Sequence, residues 1–398
     1  MFVCMGVIMN ISRHSLIFGL SYALDILGRN NLSHSKSTAY LSVLIARGIG
    51  LTEDEVQTIY YAALLHDIGI TDEYVVRHPT FTNMKKHCIT GKTMLEKLPL
   101  PEKIPVYVYC HHEHYDGSGA FRLSGNDIPQ GAQIVCLASA FDDRFSKAND
   151  FNRDLILEVY DWLAASRVLI SKEIVAAFSS LIAREYFLLD YFNHETRYTL
   201  SDKIIVNDDV YYSYTDIKKF ALCFAEIIDQ RSPFTFQHST GIAELALKAA
   251  GHLGYDDGTQ NKMYMAGLLH DIGKLHVSTD ILHKNGYLLS EERFEINKHV
   301  YYTRKILEQI QGFEDIVNPA ANHHEKLDGS GYPYRLTSEQ LSEHDRVMAI
   351  CDIYQALTEE RPYRKALSPE KVWSIIDNMA ESGQLDKSLI EKIKQIFN

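Results

Sequence analysis

The chain has 398 residues, of which 46% are hydrophobic and 23% are charged, a balance typical of a folded protein of roughly two to three domains. Its net charge of −12 argues against broad binding to a nucleic-acid backbone, so no DNA partner is expected. No apolar run reaches the roughly 18 residues that a membrane span needs, and the apolar stretch 1–9 is too short. The six cysteines are scattered without a CxxC pair, which indicates reduced thiols and predicts a cytoplasmic protein.

The chain contains an internal duplication. The hexapeptide Leu-Leu-His-Asp-Ile-Gly occurs at 64–69 and again at 268–273, and His-Ser at 34–35 matches 238–239 at the same offset. Lys-His at 86–87, His-His-Glu at 111–113 and Asp-Gly-Ser-Gly at 116–119 recur at 298–299, 323–325 and 328–331, at a longer offset. The change in offset predicts an inserted loop in the second copy, at Leu282–Ser290.

Both copies show the apolar periodicity of helices. Apolar residues recur at three- and four-residue spacing in 14–28, 36–47 and 54–66, and again in 216–230, 240–250 and 260–270. A further helical pair is predicted near 153–164 and 171–187, whereas strand-like alternation is almost absent. The sequence therefore predicts an all-α chain with two helical bundle domains in tandem. Their predicted bounds are 1–185 and 215–398, with a connector at 186–214.

The second copy carries a set of candidate metal ligands. An isolated histidine is more often a surface or core residue, but these groups sit at or just past predicted helix ends, and most recur in the duplicate. Three protein groups suffice for a catalytic metal, so seven predict two metals, an arrangement suited to phosphodiester hydrolysis. The candidates are His238, His270, Asp271, His299, His323, His324 and Asp352.

These residues carry a family resemblance. The order His, His-Asp, His, His-His, Asp resembles the HD-domain phosphohydrolases, and His-His-Glu at 323–325 with Asp-Gly-Ser-Gly-Tyr-Pro at 328–333 is similar to the HD-GYP subclass. Arg-Pro-Tyr-Arg at 361–364 fits the same pattern. The resemblance implies HD-type helical bundles around a two- or three-metal site, with iron or manganese ahead of zinc, nickel or magnesium. It also implies hydrolysis of a cyclic dinucleotide in bacterial signalling, most often cyclic di-GMP, to linear pGpG or to GMP.

The resemblance also implies roles for individual residues. The seven candidates would be metal ligands, with Asp271 bridging the metals, and Lys274 would hold a substrate phosphate. The alternative for Lys274 is a solvated helix end, where a cation is favoured anyway. The Gly-Tyr-Pro loop would lie at the rim of the site or serve as a plain connector, and the two arginines would contact phosphate or form surface salt bridges. These further substrate contacts are Gly331, Tyr332, Pro333, Arg361 and Arg364.

Two departures from the family pattern bear on the number of metals. Phe234 stands four residues before His238, where family members with three metals carry a glutamate. Gln355 stands three residues after Asp352, where a second aspartate is common. Both departures indicate two metals in the second copy.

The first copy is a degenerate version of the second. Ile70 stands in the place of the lysine, Ala-Phe at 120–121 in the place of the Tyr-Pro pair, and Ser139 in the place of the last metal aspartate. We expect weakened or single-metal binding there and poor hydrolysis, because a neutral serine cannot replace a carboxylate ligand. The alternative is a fold retained for packing or dimerisation. The residues of a residual metal site would be His34, His66, Asp67, His87, His111 and His112.

The sequence therefore predicts a metal-dependent cyclic-dinucleotide phosphodiesterase whose chemistry lies in residues 215–398. One alternative within enzymes is a phosphohydrolase for cyclic GMP-AMP or another nucleotide. An alternative of another class is a module that binds a cyclic dinucleotide or a partner without turnover. A homodimer, or another interaction through the first copy, is also compatible with the sequence.

Overall fold

The computed structural model describes residues 11–27, 33–70, 80–148, 152–193, 208–231, 238–284, 286–359 and 365–397. Apart from one pair of two-residue strands, the regular structure of these residues is helical, which confirms the all-α prediction. None of the described helices is long and apolar enough to cross a membrane. The described cysteines are free thiols. Three positions of the sequence analysis lie outside the described residues: Phe234, Arg361 and Arg364.

The chain divides into two compact units. The C-terminal unit comprises the described residues of Met1–Ala23 and of Tyr211–Asn398, and the N-terminal unit those of Leu24–Val210. This division differs from the predicted bounds at 185 and 215. The physical reason is that strand β1 (Ile11–Ser12) pairs antiparallel with strand β2 (Tyr211–Tyr212), so the start of the chain belongs with the second copy.

Three helices of the first copy begin where a side chain accepts a hydrogen bond from a free backbone N–H. Thr52 accepts from the N–H of Glu55, and Asn152 from that of Leu155. The predicted helix 171–187 is broken at Ala183, where the chain turns before a short further helix. The helices are α1 (Arg13–Leu27), α2 (His34–Gly48), α3 (Glu53–Leu64), α4 (Phe81–Leu95), α5 (Lys103–Cys110), α6 (Gln130–Phe145), α7 (Arg153–Ala165), α8 (Lys172–Ile182) and α9 (Glu185–Phe192).

The C-terminal unit repeats this arrangement. Ser342 and Asp345 form a reciprocal capping box at the start of one helix, and the predicted inserted loop lies between two others. A short 3₁₀ segment, Ile272–His276, follows the His-Asp pair. The helices are α10 (Tyr214–Arg231), α11 (His238–His252), α12 (Asp257–Leu269), α13 (Thr279–Leu282), α14 (Ser290–Leu307), α15 (Glu314–Ala321), α16 (Glu343–Thr358), α17 (Pro369–Glu381) and α18 (Lys387–Ile393).

The cores of the two units place the repeated motif in the same way. In the C-terminal unit α11 packs against α12 and α16, and in the N-terminal unit α2 packs against α3 and α6. Leu268 and Leu269 are fully buried, as are Leu64 and Leu65. Burying one leucine side chain contributes about 1.5–3 kcal/mol relative to exposure, so these pairs anchor the helix end that carries each His-Asp motif.

Candidate metal centre

The His-Asp pair of the second copy lies where α12 ends. The Nδ1–H of His270 donates to the carbonyl oxygen of Gly267 at 2.7 Å, so when the ring is neutral, as in a metal ligand, its Nε2 atom presents a lone pair. This Nε2 atom is buried, has no hydrogen-bond partner among the described residues and lies 3.1 Å from Oδ2 of Asp271. An orphaned lone pair beside a carboxylate is the arrangement that a metal cation would complete.

A glycine brings the next ligand to this pair. A Cβ atom on Gly273 would lie 1.9 Å from the carbonyl oxygen of His299, so only glycine allows the 3₁₀ segment to approach α14 so closely. The N–H of Gly273 donates to Thr303 Oγ1 at 3.0 Å, and this hydroxyl donates to the carbonyl oxygen of His270 at 2.8 Å. As a result, Nε2 of His299 lies 3.4 Å from Oδ1 of Asp271.

The paired histidines follow α15. The Nδ1–H of His323 donates to the carbonyl oxygen of Ala320 at 2.7 Å, and that of His299 donates to the carbonyl oxygen of Ile296 at 2.6 Å. Their Nε2 atoms therefore face each other as lone pairs, 3.4 Å apart. His324 turns its Nδ1 atom toward Oδ2 of Asp352, at 3.5 Å.

The remaining histidine comes from the start of α11. Nε2 of His238 lies 3.9 Å from Oδ2 of Asp271 and 3.9 Å from Oδ1 of Asp352, which α16 supplies. The structure thus brings together all seven ligand candidates, and we call this set the second-copy centre. Donor atoms within 4.8 Å of one another form three overlapping groups: His299, His323 and His324; His238, His270 and Asp352; and His270, Asp271 and His323.

The ionisation states of these groups fit metal binding. Burial lowers the pKa of His299 to about 3 and that of His323 to about 4, so both imidazoles are neutral near pH 7, the form that binds a metal. Burial alone would raise the pKa of Asp271, but the charges of His270 and Lys274 hold it well below its ordinary value. Neutral imidazoles and ionised carboxylates are a donor set for divalent transition metals.

Lys274 adds a cation at the edge of the second-copy centre. Its Nζ atom lies 2.5 Å from Oδ2 of Asp271, and 22% of its side chain is exposed. The ammonium group therefore reaches both the central carboxylate and solvent, which is where an anionic ligand would enter.

The Gly-Tyr-Pro loop lies beside the paired histidines. A Cβ atom on Gly331 would lie 2.4 Å from Cα of Glu325, which makes this a close backbone approach. The Tyr332 ring centroid is 5.0 Å from that of His324, and Pro333 is exposed. The structure thus places the loop next to the ligands, at the surface of the unit.

Two residues that support this geometry were not singled out in the sequence. The buried carboxylate of Glu325 accepts from the N–H groups of Tyr334 and Leu336 at 2.8 and 2.9 Å, which fixes the loop. The sequence feature that could have identified Glu325 is the glutamate that occurs in both His-His-Glu motifs. Glu359 accepts from Nδ1–H of His238 at 2.9 Å, and no repeated motif marks it.

The six retained donors of the first copy also converge, in a set that we call the first-copy cluster. Their donor atoms form two groups within 4.8 Å: His34, His66 and Asp67; and His87, His111 and His112. Ser139 Oγ, at the place of the last metal aspartate, is 3.4 Å from Nε2 of His34. Ile70 is buried where the second copy has Lys274.

The sequences of both copies match a known family. The family model described as "HD domain" matches residues 23–153 and 223–389. The chain belongs to the HD-domain family. The two matched stretches lie within the two copies of the duplication, and the recognition of tandem HD-domain copies is confirmed.

Several relatives of this HD-domain protein carry named activities. The 3′3′-cGAMP-specific phosphodiesterase 1 of Vibrio cholerae is 29% identical over 399 aligned positions, covering 96% of this chain and 91% of that protein. A cyclic di-GMP phosphodiesterase of Pseudomonas aeruginosa is 37% identical over 155 residues, 38% of this chain and 37% of that protein. The crystal structure of a cyclic GMP-AMP-specific phosphodiesterase of V. cholerae has a TM-score of 0.72 at 22% identity, over 98% of both chains, which shows a shared fold.

Proposed function

We propose that the second-copy centre hydrolyses a phosphodiester bond of a 3′3′ cyclic dinucleotide with the help of two divalent metals. The observation that carries the proposal is the convergence of seven donors in three overlapping groups, with the Lys274 ammonium beside Asp271. The named activities of the relatives support the substrate class. Iron or manganese is the first choice of metal, ahead of zinc, nickel or magnesium.

The residues of the second-copy centre have different roles in the proposed hydrolysis. Divalent ions held by the histidines and aspartates would activate water and neutralise charge on the phosphoryl oxygens. Asp271, which faces His270, His299 and Lys274, orients both halves of the ligand set. Lys274 binds a non-bridging phosphate oxygen and stabilises the negative charge that grows there. Water adds to phosphorus and the P–O3′ bond breaks, leaving a 5′-phosphate and a 3′-hydroxyl on a linear dinucleotide.

We infer that 3′3′-cyclic GMP-AMP is the first substrate to test and cyclic di-GMP the second. The V. cholerae relative that aligns with 96% of this chain is named for cyclic GMP-AMP. The cyclic di-GMP relative aligns with 38% of it. This order reverses the sequence-based expectation. The Tyr332 ring beside His324 offers a surface on which a base can stack.

The test is a turnover assay on the full-length protein. Protein loaded anaerobically with Fe(II) or Mn(II), and freed of unbound metal, is incubated with 3′3′-cyclic GMP-AMP, cyclic di-GMP, cyclic di-AMP and linear pGpG. We expect about two metals in the second-copy centre and conversion of at least one cyclic substrate to its linear product. The metal count is taken with the first-copy donors His66 and His111 replaced by alanine.

The outcomes separate the alternatives. Metal-loaded protein that binds a cyclic dinucleotide in a calorimetric titration without turning it over would favour the binding-module alternative. Protein that neither binds nor hydrolyses any member of the panel would contradict the substrate class. Cytoplasmic location and a homodimer stay predictions from the sequence.

A further inference from the structure

The first-copy cluster lies in the N-terminal unit and has no part in the proposed hydrolysis. Four stretches of chain supply its six donors: the start of α2, the end of α3, the middle of α4 and the end of α5. Of the six residues, His66, His87 and His111 are at least 99% buried. Grouping imidazoles in a core is costly unless a cation or donors satisfy their nitrogens.

The hydrogen bonds of His34 and His66 determine where their lone pairs point. The Nδ1–H of His34 donates to Oδ2 of Asp142 at 2.7 Å, and that of His66 donates to the carbonyl oxygen of Ala63 at 2.7 Å. With Nδ1 as the donor in each ring, both Nε2 atoms of the neutral rings are acceptors. They lie 3.2 Å apart, so a positive charge, either a proton or a metal ion, must lie between them.

The second group places further imidazole nitrogens close to the first. The Nδ1–H of His111 donates to the carbonyl oxygen of Val108 at 2.5 Å, and its Nε2 atom faces that of His87 at 3.2 Å. Asp67 belongs to the first group but is also close to the second. Its Oδ1 atom lies 3.5 Å from Nε2 of His66 and 3.6 Å from Nε2 of His87. A proton serves one pair of nitrogens, whereas a metal ion is bound by several of these donors at once.

A carboxylate supports this cluster from a different position than in the second copy. Glu359 at the end of α16 holds the outer nitrogen of His238, and Asp142, one turn earlier on the corresponding helix α6, holds that of His34. The hydroxyl of Tyr191 donates to the other oxygen of Asp142 at 2.6 Å and fixes it. A carboxylate on the outer nitrogen orients a ligating imidazole and raises its basicity. The candidate ligand His34 thus has the same kind of supporting contact as His238 in the second copy.

We propose that the first-copy cluster binds a divalent transition-metal ion that stabilises the N-terminal unit without hydrolysing substrate. Five imidazoles and one carboxylate form a nitrogen-rich set that suits Zn(II), Ni(II) or Fe(II). Because the donors come from four stretches of chain, a bound ion links these helices and stabilises the folded unit. Ser139 and Ile70 remove the carboxylate and the ammonium that the proposed hydrolysis requires.

The test removes the second-copy centre and measures the metal that remains. Full-length protein carrying His270→Ala and His323→Ala is loaded separately with Zn(II), Ni(II) and anaerobic Fe(II), freed of unbound metal and examined by elemental analysis and thermal unfolding. We expect about one ion per chain to be retained and a chelator to lower the Tm. Adding His66→Ala/His111→Ala should abolish both effects. The matched control is His252→Ala, an exposed histidine on α11, which should change neither.

Two results would overturn the proposal. In the first, the His270→Ala/His323→Ala protein has a wild-type circular dichroism spectrum but retains none of the three metals. The other applies even if the variant with four substitutions does not fold, and uses Asp142→Asn on the same background. That change should weaken metal affinity by about 10–100-fold in a chelator competition, and an unchanged affinity would contradict the role of the cluster. Neither measurement depends on turnover, so metal retention and metal affinity can still be interpreted if the proposed function is wrong.

Discussion

His238 and Glu359 form a hydrogen bond of 2.9 Å between Nδ1 and Oε2. The other nitrogen of His238 is thereby aimed at Asp271 and Asp352, each 3.9 Å away. Gln355 donates to the second oxygen of Glu359 at 2.7 Å, so the carboxylate is held from both sides. Glu359 is not among the grouped candidate ligands and contacts one of them, His238, so its role is that of a positioning residue rather than a catalytic one.

The first prediction concerns this positioning role. Glu359→Ala should weaken metal binding in the second-copy centre by about 10–100-fold, because the His238 ring loses the partner that fixes it and raises its basicity. The measurement is a chelator competition, together with kcat at saturating metal. We expect most of kcat to return once metal is in excess, which separates positioning from catalysis.

The first copy supplies a matched rescue for this variant. Asp142 occupies the place that corresponds to Gln355 and binds the outer nitrogen of His34 at 2.7 Å. Gln355→Asp in the Glu359→Ala background should therefore restore much of the metal affinity, whereas Gln355→Asn should not. Wild-type affinity in Glu359→Ala would show that the hydrogen bond has no influence on the metal.

The second prediction concerns Asp271. Asp271→Ala should lower turnover at least about a hundredfold, because one carboxylate faces His270, His299 and Lys274 and all three contacts are lost together. Elemental analysis should show a parallel loss of metal. Asp280→Ala, which removes an exposed carboxylate from α13, is the control for the change in net charge. Near-normal turnover by folded Asp271→Ala protein would count against the assignment of the site.

The ligand positions could be predicted because the repeat and helical periodicity act together. Buried leucines bring His270 and Asp271 to the end of α12, and the same pattern recurs at the end of α3. Two copies of one pattern mark six of the seven candidates, whereas Asp352 has Ser139 as its counterpart and rests on the family resemblance alone; the structure brings all seven together.

The supporting contacts could not be predicted because they depend on tertiary distances. Thr303 lies thirty residues from Gly273 and contacts it only because a glycine allows α14 to approach. Glu359 occupies a helix end, where a glutamate more often faces solvent. The pairing of β1 with β2 could not be predicted for a similar reason, since strands of two residues are too short to show any alternation.

The third prediction concerns pH and Asp25, near the end of α1. Burial raises the pKa of its carboxyl from 3.8 to about 7, while one oxygen accepts from the N–H of Ser35 at 2.8 Å. The other oxygen is buried without a hydrogen-bond partner among the described residues. Because the folded state favours the protonated form, its stabilising effect is complete below about pH 4 and is lost as the pH rises through about 7.

Asp25→Asn should remove this dependence, since the amide keeps an acceptor for Ser35 and carries no charge. At pH 8 we expect the variant to be more stable by on the order of 2 kcal/mol. This corresponds to a rise of roughly 4–8 °C in the Tm of the affected transition in scanning calorimetry, at matched metal content. Below about pH 4 the two proteins should unfold at nearly the same temperature. An equal difference at both pH values would mean that ionisation of Asp25 is not its cause.

The last prediction separates the two copies. His270→Ala/Asp271→Ala should remove hydrolysis, whereas His66→Ala/Asp67→Ala should leave most of the rate. Only the second copy has both an ammonium group, on Lys274, and a second aspartate ligand.

A phosphodiester at the first-copy cluster would meet neither group, and losing one well-placed electrostatic contact typically costs about a hundredfold in rate. The measurement is kcat for each double variant, with circular dichroism and the metal content of the second-copy centre as controls. A lower Tm in the first-copy variant is expected from its structural metal and does not count against the prediction. For a valid comparison both variants must be folded, and the first-copy variant must keep a fully loaded second-copy centre. If the two variants then lose turnover equally, the first copy takes part in the chemistry.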